Sequence, residues 1–197
     1  MKNITKTTTV YNFDELTETA QNNALELNRD INISPWWFDC TTEDFKEIGS
    51  KIGIDIDDIY FSGFWSQGDG ACFTGNYSYK KGAVKTIKKE YPHWQELHDI
   101  AQQLQSEQKR FFYGITTTVN NKGHYNHENS VQIESYDNNK EDYASESCTI
   151  GDTLQDFMRL IYSTLEKEYN YHTSDDAVKE YLIEHEFQFL ECGEEYE

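Results

Sequence analysis

Between Phe61 and Gly75 the chain sets four glycines among four large apolar side chains, Phe61, Phe64, Trp65 and Phe73. Large apolar residues demand burial, while clustered glycines mark backbone that bends sharply or is closely approached. Together they read as strand, loop, strand. Residues 59–64 and 71–79 form the strands, and residues 65–70 form the loop.

Around this pair the periodicity supplies further elements. Residues 7–11 are β-branched and aromatic, which predicts a short first strand. Thr17 caps a helix to about residue 29, with Leu16, Ala20, Ala24 and Leu27 on one stripe. Ser34 before Pro35 opens another helical stretch. Residues 44–52 continue it, with Phe45, Ile48 and Ile52 on one face and Gly53 as the stop. The segment Asp55-Ile56-Asp57-Asp58 reads as a polar turn before a strand; it is no calcium loop, since Tyr60 stands where such a loop needs glycine.

Residues 111–119 and 130–136 read as a second strand pair across an Asn120-Asn121-Lys122-Gly123 turn. Helical spacing returns over residues 93–110 and 153–168, and again from Ser174 to His185 behind a Ser174 cap. Residues 137–148 are a polar connection, and residues 187–190 are a last short strand that closes the sheet. The sum is an α+β fold, a mostly antiparallel sheet with several helices packed on it. It forms one domain over residues 1–197, with an acidic, helix-rich C-terminal third from about residue 137.

Charge narrows the partners. The net charge is −19, and residues 137–197 carry 17 acidic against 4 basic side chains, a net of −13. Such a surface repels phosphates and attracts basic surfaces, so direct nucleic-acid binding is disfavoured and a partner protein with a basic surface is expected. Aromatic residues at 15% serve either core packing or an adhesive surface. The four cysteines, Cys40, Cys72, Cys148 and Cys192, lack paired spacing, so neither a zinc ribbon nor a redox motif is indicated. Neither a bilayer-length apolar run nor a signal-like N-terminus is visible, so the expectation is a cytoplasmic protein away from membranes.

Candidate site residues fall into two groups. Asp69, between Gly68 and Gly70, is a loop-tip carboxylate beside Trp65, Ser66 and Gln67. These four can line a binding loop with His124, Tyr125 and His127, or simply form a structural hairpin. Residues three apart on a strand face opposite ways, so His124 and His127 are expected on a strand and no metal site is assigned. Five lysines within residues 79–89 could add phosphate contacts, although a solvated face is the ordinary reading. The second group is Asp175, Asp176, Glu180 and Glu184, an acidic interaction surface on the last helix. No residue has the setting of a catalytic nucleophile or base, and no cofactor motif is present.

The segment Phe61-Ser-Gly-Phe-Trp-Ser-Gln-Gly-Asp-Gly-Ala-Cys-Phe73 resembles one found in a family of uncharacterised tailed-bacteriophage and prophage accessory proteins. Residues 11–24, 123–127 and 156–169 are similar to segments of that family in the same order. The resemblance implies a viral accessory protein made inside a bacterial cell, with no catalytic role to transfer. It leads to the expectation of a non-catalytic inhibitor of a host factor, a defence component, that binds through an acidic and aromatic surface, in the manner of a nucleic-acid mimic. The alternative is a binder that sequesters a nucleotide-like small molecule. A third reading, an enzyme with an unfamiliar site, requires Asp69, His124 and His127 to converge.

Overall fold

The computed structural model describes residues 1, 7–121 and 123–196. The chain opens with β1 (Tyr11–Asn12), a 3-10 turn (Phe13–Glu15), α1 (Glu18–Leu27), α2 (Asp39–Ile52) and β2 (Ile54–Phe61). It continues through β3 (Ala71–Ser78), α3 (Ala83–Glu90), α4 (Gln95–Arg110), β4 (Ile115–Asn121) and β5 (Val131–Asp137). Last come β6 (Asp142–Tyr143), α5 (Ile150–His172), α6 (Asp175–Glu184) and β7 (Gln188–Phe189). The fold is α+β with an antiparallel five-stranded sheet, as the sequence pattern implies. Contacts divide it into two units, Phe38–Glu166 and the pair of segments Met1–Trp37 with Lys167–Glu197.

In the larger unit the sheet order is β2-β3-β4-β5-β6. Side chains alternate across each strand, so Ile54, Ile56, Phe73, Tyr77, Ile115 and Val119 turn to one face and are buried there. Helices supply the other half of that core. Phe157 of α5 meets Phe73 of β3 and Phe45 of α2 edge to face, at centroid separations of 6.2 and 5.6 Å. Gln108 of α4, fully buried, donates to Ile115 O at 2.7 Å and accepts from Ile115 N at 3.3 Å, so its amide is satisfied by the strand it underlies.

The turn expected before this strand is corrected by the structure. Asp55, Ile56, Asp57 and Asp58 form no turn but lie within β2: Ile54 and Ile56 are buried while Asp55 and Asp57 point outward. Their acidity disguised an ordinary period-two strand. The lysine-rich run presents the solvated face expected of it, on helix α3, whose buried Ala83 and Ile87 face inward while Lys85, Lys88 and Lys89 stay exposed.

In the smaller unit, β1 pairs antiparallel with β7, Tyr11 opposite Phe189. Phe13, Leu16, Ala20, Ala24 and Leu25 share a core with Val178, Leu182 and Phe189. Each fully buried Leu or Phe contributes about 2 kcal/mol, so this shared core joins segments from both ends of the sequence. Both anticipated caps are present: Thr17 accepts from Ala20 N and Ser174 from Ala177 N. The last strand pairs with β1 in a separate two-stranded ribbon instead of closing the large sheet.

Candidate functional site

The loop between β2 and β3 is held by its own backbone. Asp69 Oδ2 accepts from Trp65 N at 2.9 Å and Ser66 N at 2.7 Å, and Asp69 N donates to Ser66 O at 3.0 Å. These donors, Ser66 first, hold the Asp69 carboxyl below its ordinary range. The carboxylate that the sequence places at a loop tip is thus engaged within the loop. Phe61 and Phe64, at the start of the loop, belong to an aromatic row: Phe38 meets Phe61 at 5.1 Å, Phe61 meets Phe64 at 6.0 Å and Phe64 meets Tyr162 at 5.5 Å. Trp65, next to Phe64 in the chain, is 79% exposed.

His124, Tyr125 and His127 lie in the loop between β4 and β5 and not on a strand. Asn126 fixes that loop to the end of β2, donating to Phe61 O at 3.1 Å. Glu128 fixes it to α5, its carboxylate accepting from Arg159 Nε at 3.0 Å and its carbonyl from Gln155 at 3.1 Å. The ring of His127 lies so close to Gly70 that a Cβ there would meet its Cδ2 at 2.7 Å. Glycine at position 70 is therefore required by close approach, whereas a Cβ at Gly68 would meet nothing within 4 Å.

The two loops thus touch at Gly70 and His127, but Asp69 turns its carboxylate away toward Trp65 and Ser66. His127 Nδ1 instead accepts from Asn129 N at 3.1 Å, with Glu128 Oε2 3.0 Å away. His124 and Tyr125 are exposed, as are Ser66 and Gln67. The lysines of residues 79–89 are no part of this place among the described residues. Lys80 follows the far end of β3, about 24 Å of strand from Ala71, and donates to Ser50 O at the end of α2. Cys72, buried next to the loops, has its thiol pushed up to about 11 by desolvation, which makes it a poor nucleophile.

On α6 the acidic residues divide. Asp175 pairs with Arg29, whose guanidinium also donates to Thr173 O at 3.0 Å, so it stitches α6 to the chain after α1. Asp176, Glu180 and Glu184 are exposed and recur every fourth residue, a row of carboxylates about 6 Å apart along one helix face. Tyr181 stacks at 3.9 Å on His185, the residue that follows α6.

One feature was not visible in the sequence. A cleft of about 520 Å³ runs beside β5, lined by Val131, Ile133, Glu134, Glu146, Asp152 and Gln155 among others. Its parts come from the strand, the connection at residues 137–148 and the first turns of α5, and only the pairing of short β6 with β5 reveals it. Among the described residues no helix is long and apolar enough to cross a membrane.

A family model, the domain of unknown function DUF8835, matches residues 37–175. That span exceeds half of the 197 residues, and the chain belongs to this family. It takes in the whole sheet-bearing unit and ends at Asp175, the first residue of α6. No curated protein and no solved structure matches the chain.

Proposed function

We propose that this protein acts by non-catalytic binding of a partner protein with a basic surface, through the row of carboxylates on α6. The carrying observation is that Asp176, Glu180 and Glu184 are exposed on one helix face at regular spacing, within a segment of net charge −13. A spaced line of negative charge is what a groove that receives a phosphate backbone is built to hold, so such a groove on a nucleic-acid-binding protein is the fitting counterpart. Joined to the resemblance carried by residues 61–73, this makes the protein a phage-encoded accessory factor in the bacterial cytoplasm that occupies and inhibits a host defence component. Asp175 belongs to the scaffold and not to the contact, because its charge is taken by Arg29.

The test compares the wild type with Asp176→Lys/Glu180→Lys/Glu184→Lys in affinity capture from bacterial lysate. Captured protein should be released by the triple substitution and by added duplex DNA, and its retention should fall as salt rises, since exposed charge pairs are screened over about 10 Å at 0.1 M salt. Capture of the same proteins by a folded triple variant would sink the proposal.

A further inference from the structure

The cleft beside β5 follows a length of strand that the sheet leaves unpaired. Asn138 N donates to Gly114 O at 3.0 Å, and Ala144 N donates to Ser135 O at 2.9 Å. In an antiparallel sheet these two bonds fix the direction of every backbone group along β5: Gln132, Glu134 and Tyr136 bond to β4, while Val131, Ile133 and Ser135 turn N–H and C=O outward. Strand β6 covers that outer side only at Asp137 and Tyr136, with Ala144 reaching Ser135. Beyond Ala144 the chain turns away, with Cys148 N bonded to Ser145 O, and enters α5. Among the described residues no strand pairs with the outward side of Val131 and Ile133, and the 520 Å³ cleft lies alongside them.

We propose that the outer edge of β5 is a docking site for an extended, lysine- or arginine-bearing segment of a partner protein, which adds to the sheet as a strand at Val131 and Ile133. Backbone groups supply the pairing, and the cleft receives alternate side chains. Charge selects the occupant. Glu134, Glu146 and Asp152 line the cleft, and the nearest arginine along α5, Arg159, is already held by Glu128 and Asp156. A second copy of this chain would bring the same three carboxylates against their counterparts, so a basic segment fits where self-pairing does not. This site lies wholly within residues 131–155 and stands independently of the carboxylate row on α6.

The test uses the full chain and two synthetic hexapeptides, Lys-Val-Lys-Val-Lys-Thr and Glu-Val-Glu-Val-Glu-Thr, with hydrogen exchange read amide by amide. The lysine peptide should slow exchange at Val131 and Ile133 by about tenfold or more, while Gln132 and Glu134, already in the ladder, change less. The glutamate peptide should bind at least about tenfold more weakly. Ile133→Pro removes one outward N–H and should abolish the protection. Glu146→Lys/Asp152→Lys, which leaves the strand untouched, should invert the peptide preference. The proposal is overturned by binding without protection of those two amides, by equal binding of both peptides, or by no binding at about 1 mM peptide. Protection that rises with protein concentration alone would assign the edge to a second copy and overturn it as well.

Discussion

Along its edge strand β2 the sheet carries Asp55, Asp57 and Asp58 and a register shift between Ile56 and Asp58, whereas the opposite edge at Val131 and Ile133 carries no bulge and half-buried aliphatic side chains. Charges and bulges on an edge stop it from recruiting a foreign strand. Both edges belong to one sheet and have the same backbone chemistry, so the difference lies in side chains and in one irregularity of pairing. An edge left flat beside a cleft, in a chain that blunts its other edge, is a place where pairing is put to use. The family span of residues 37–175 includes both edges but none of Asp176, Glu180 and Glu184.

The sharpest way to break the contrast is at Gly75. It pairs with Ile56 next to the bulge at φ +149°, and a Cβ there would meet Asp55 O at 2.0 Å. Gly75→Ala should therefore cost about 3 kcal/mol or more, lowering the melting temperature by roughly 10 °C. A loss below about 1 kcal/mol in chemical denaturation would show that the bulge is not anchored there.

A pair of proline substitutions sharpens the opposite edge. Glu134→Pro removes a ladder bond to β4 from an exposed position and should cost about 3 kcal/mol. Ile133→Pro removes an N–H that bonds to nothing in the sheet, so its cost should be nearer 1 kcal/mol, from the partly buried side chain. Equal losses in the two unfolding curves would mean that the assigned direction of the β5 backbone is wrong.

Much of this contrast was legible in the residues, and the rest was hidden for identifiable reasons. Apolar spacing located α1, α2, α4, α5 and α6 to within a few residues, because each buries one stripe. β2 was recognised only from Ile59 onward, since three aspartates in four positions outweighed the alternation of Ile54 and Ile56. α3 was read as a basic run because Ala83 and Ile87 are too few to show a period against five lysines. At the candidate site, the local pattern marked the glycine loop and the acidic helix. It could not show that Asp175 is taken by Arg29, 146 residues away in sequence, or that His127 would lie against Gly70. The open edge of β5 is the extreme case, a property of what β6 fails to cover.

The smallest effect, and the most local, concerns the loop that joins β2 to β3. Asp69 is a carboxylate whose folded-state pKa is depressed by the Ser66 and Trp65 amides, so its contribution to loop order is present above the unfolded carboxyl value of about 3.9 and is lost as pH falls through the lower folded value. The amide resonances of Trp65 and Ser66 should therefore titrate together in acid with a midpoint below about 3.9, while most of the sheet's resonances hold. Asp69→Asn keeps an accepting oxygen but has no charge to lose, so both amides should become insensitive to pH over that range. A wild-type midpoint at or above the ordinary value would mean that the carboxylate is not held by its loop. It would then be free to face a ligand beside Trp65, and the end of β2 would regain the binding role that the hydrogen bonds of Asp69 argue against.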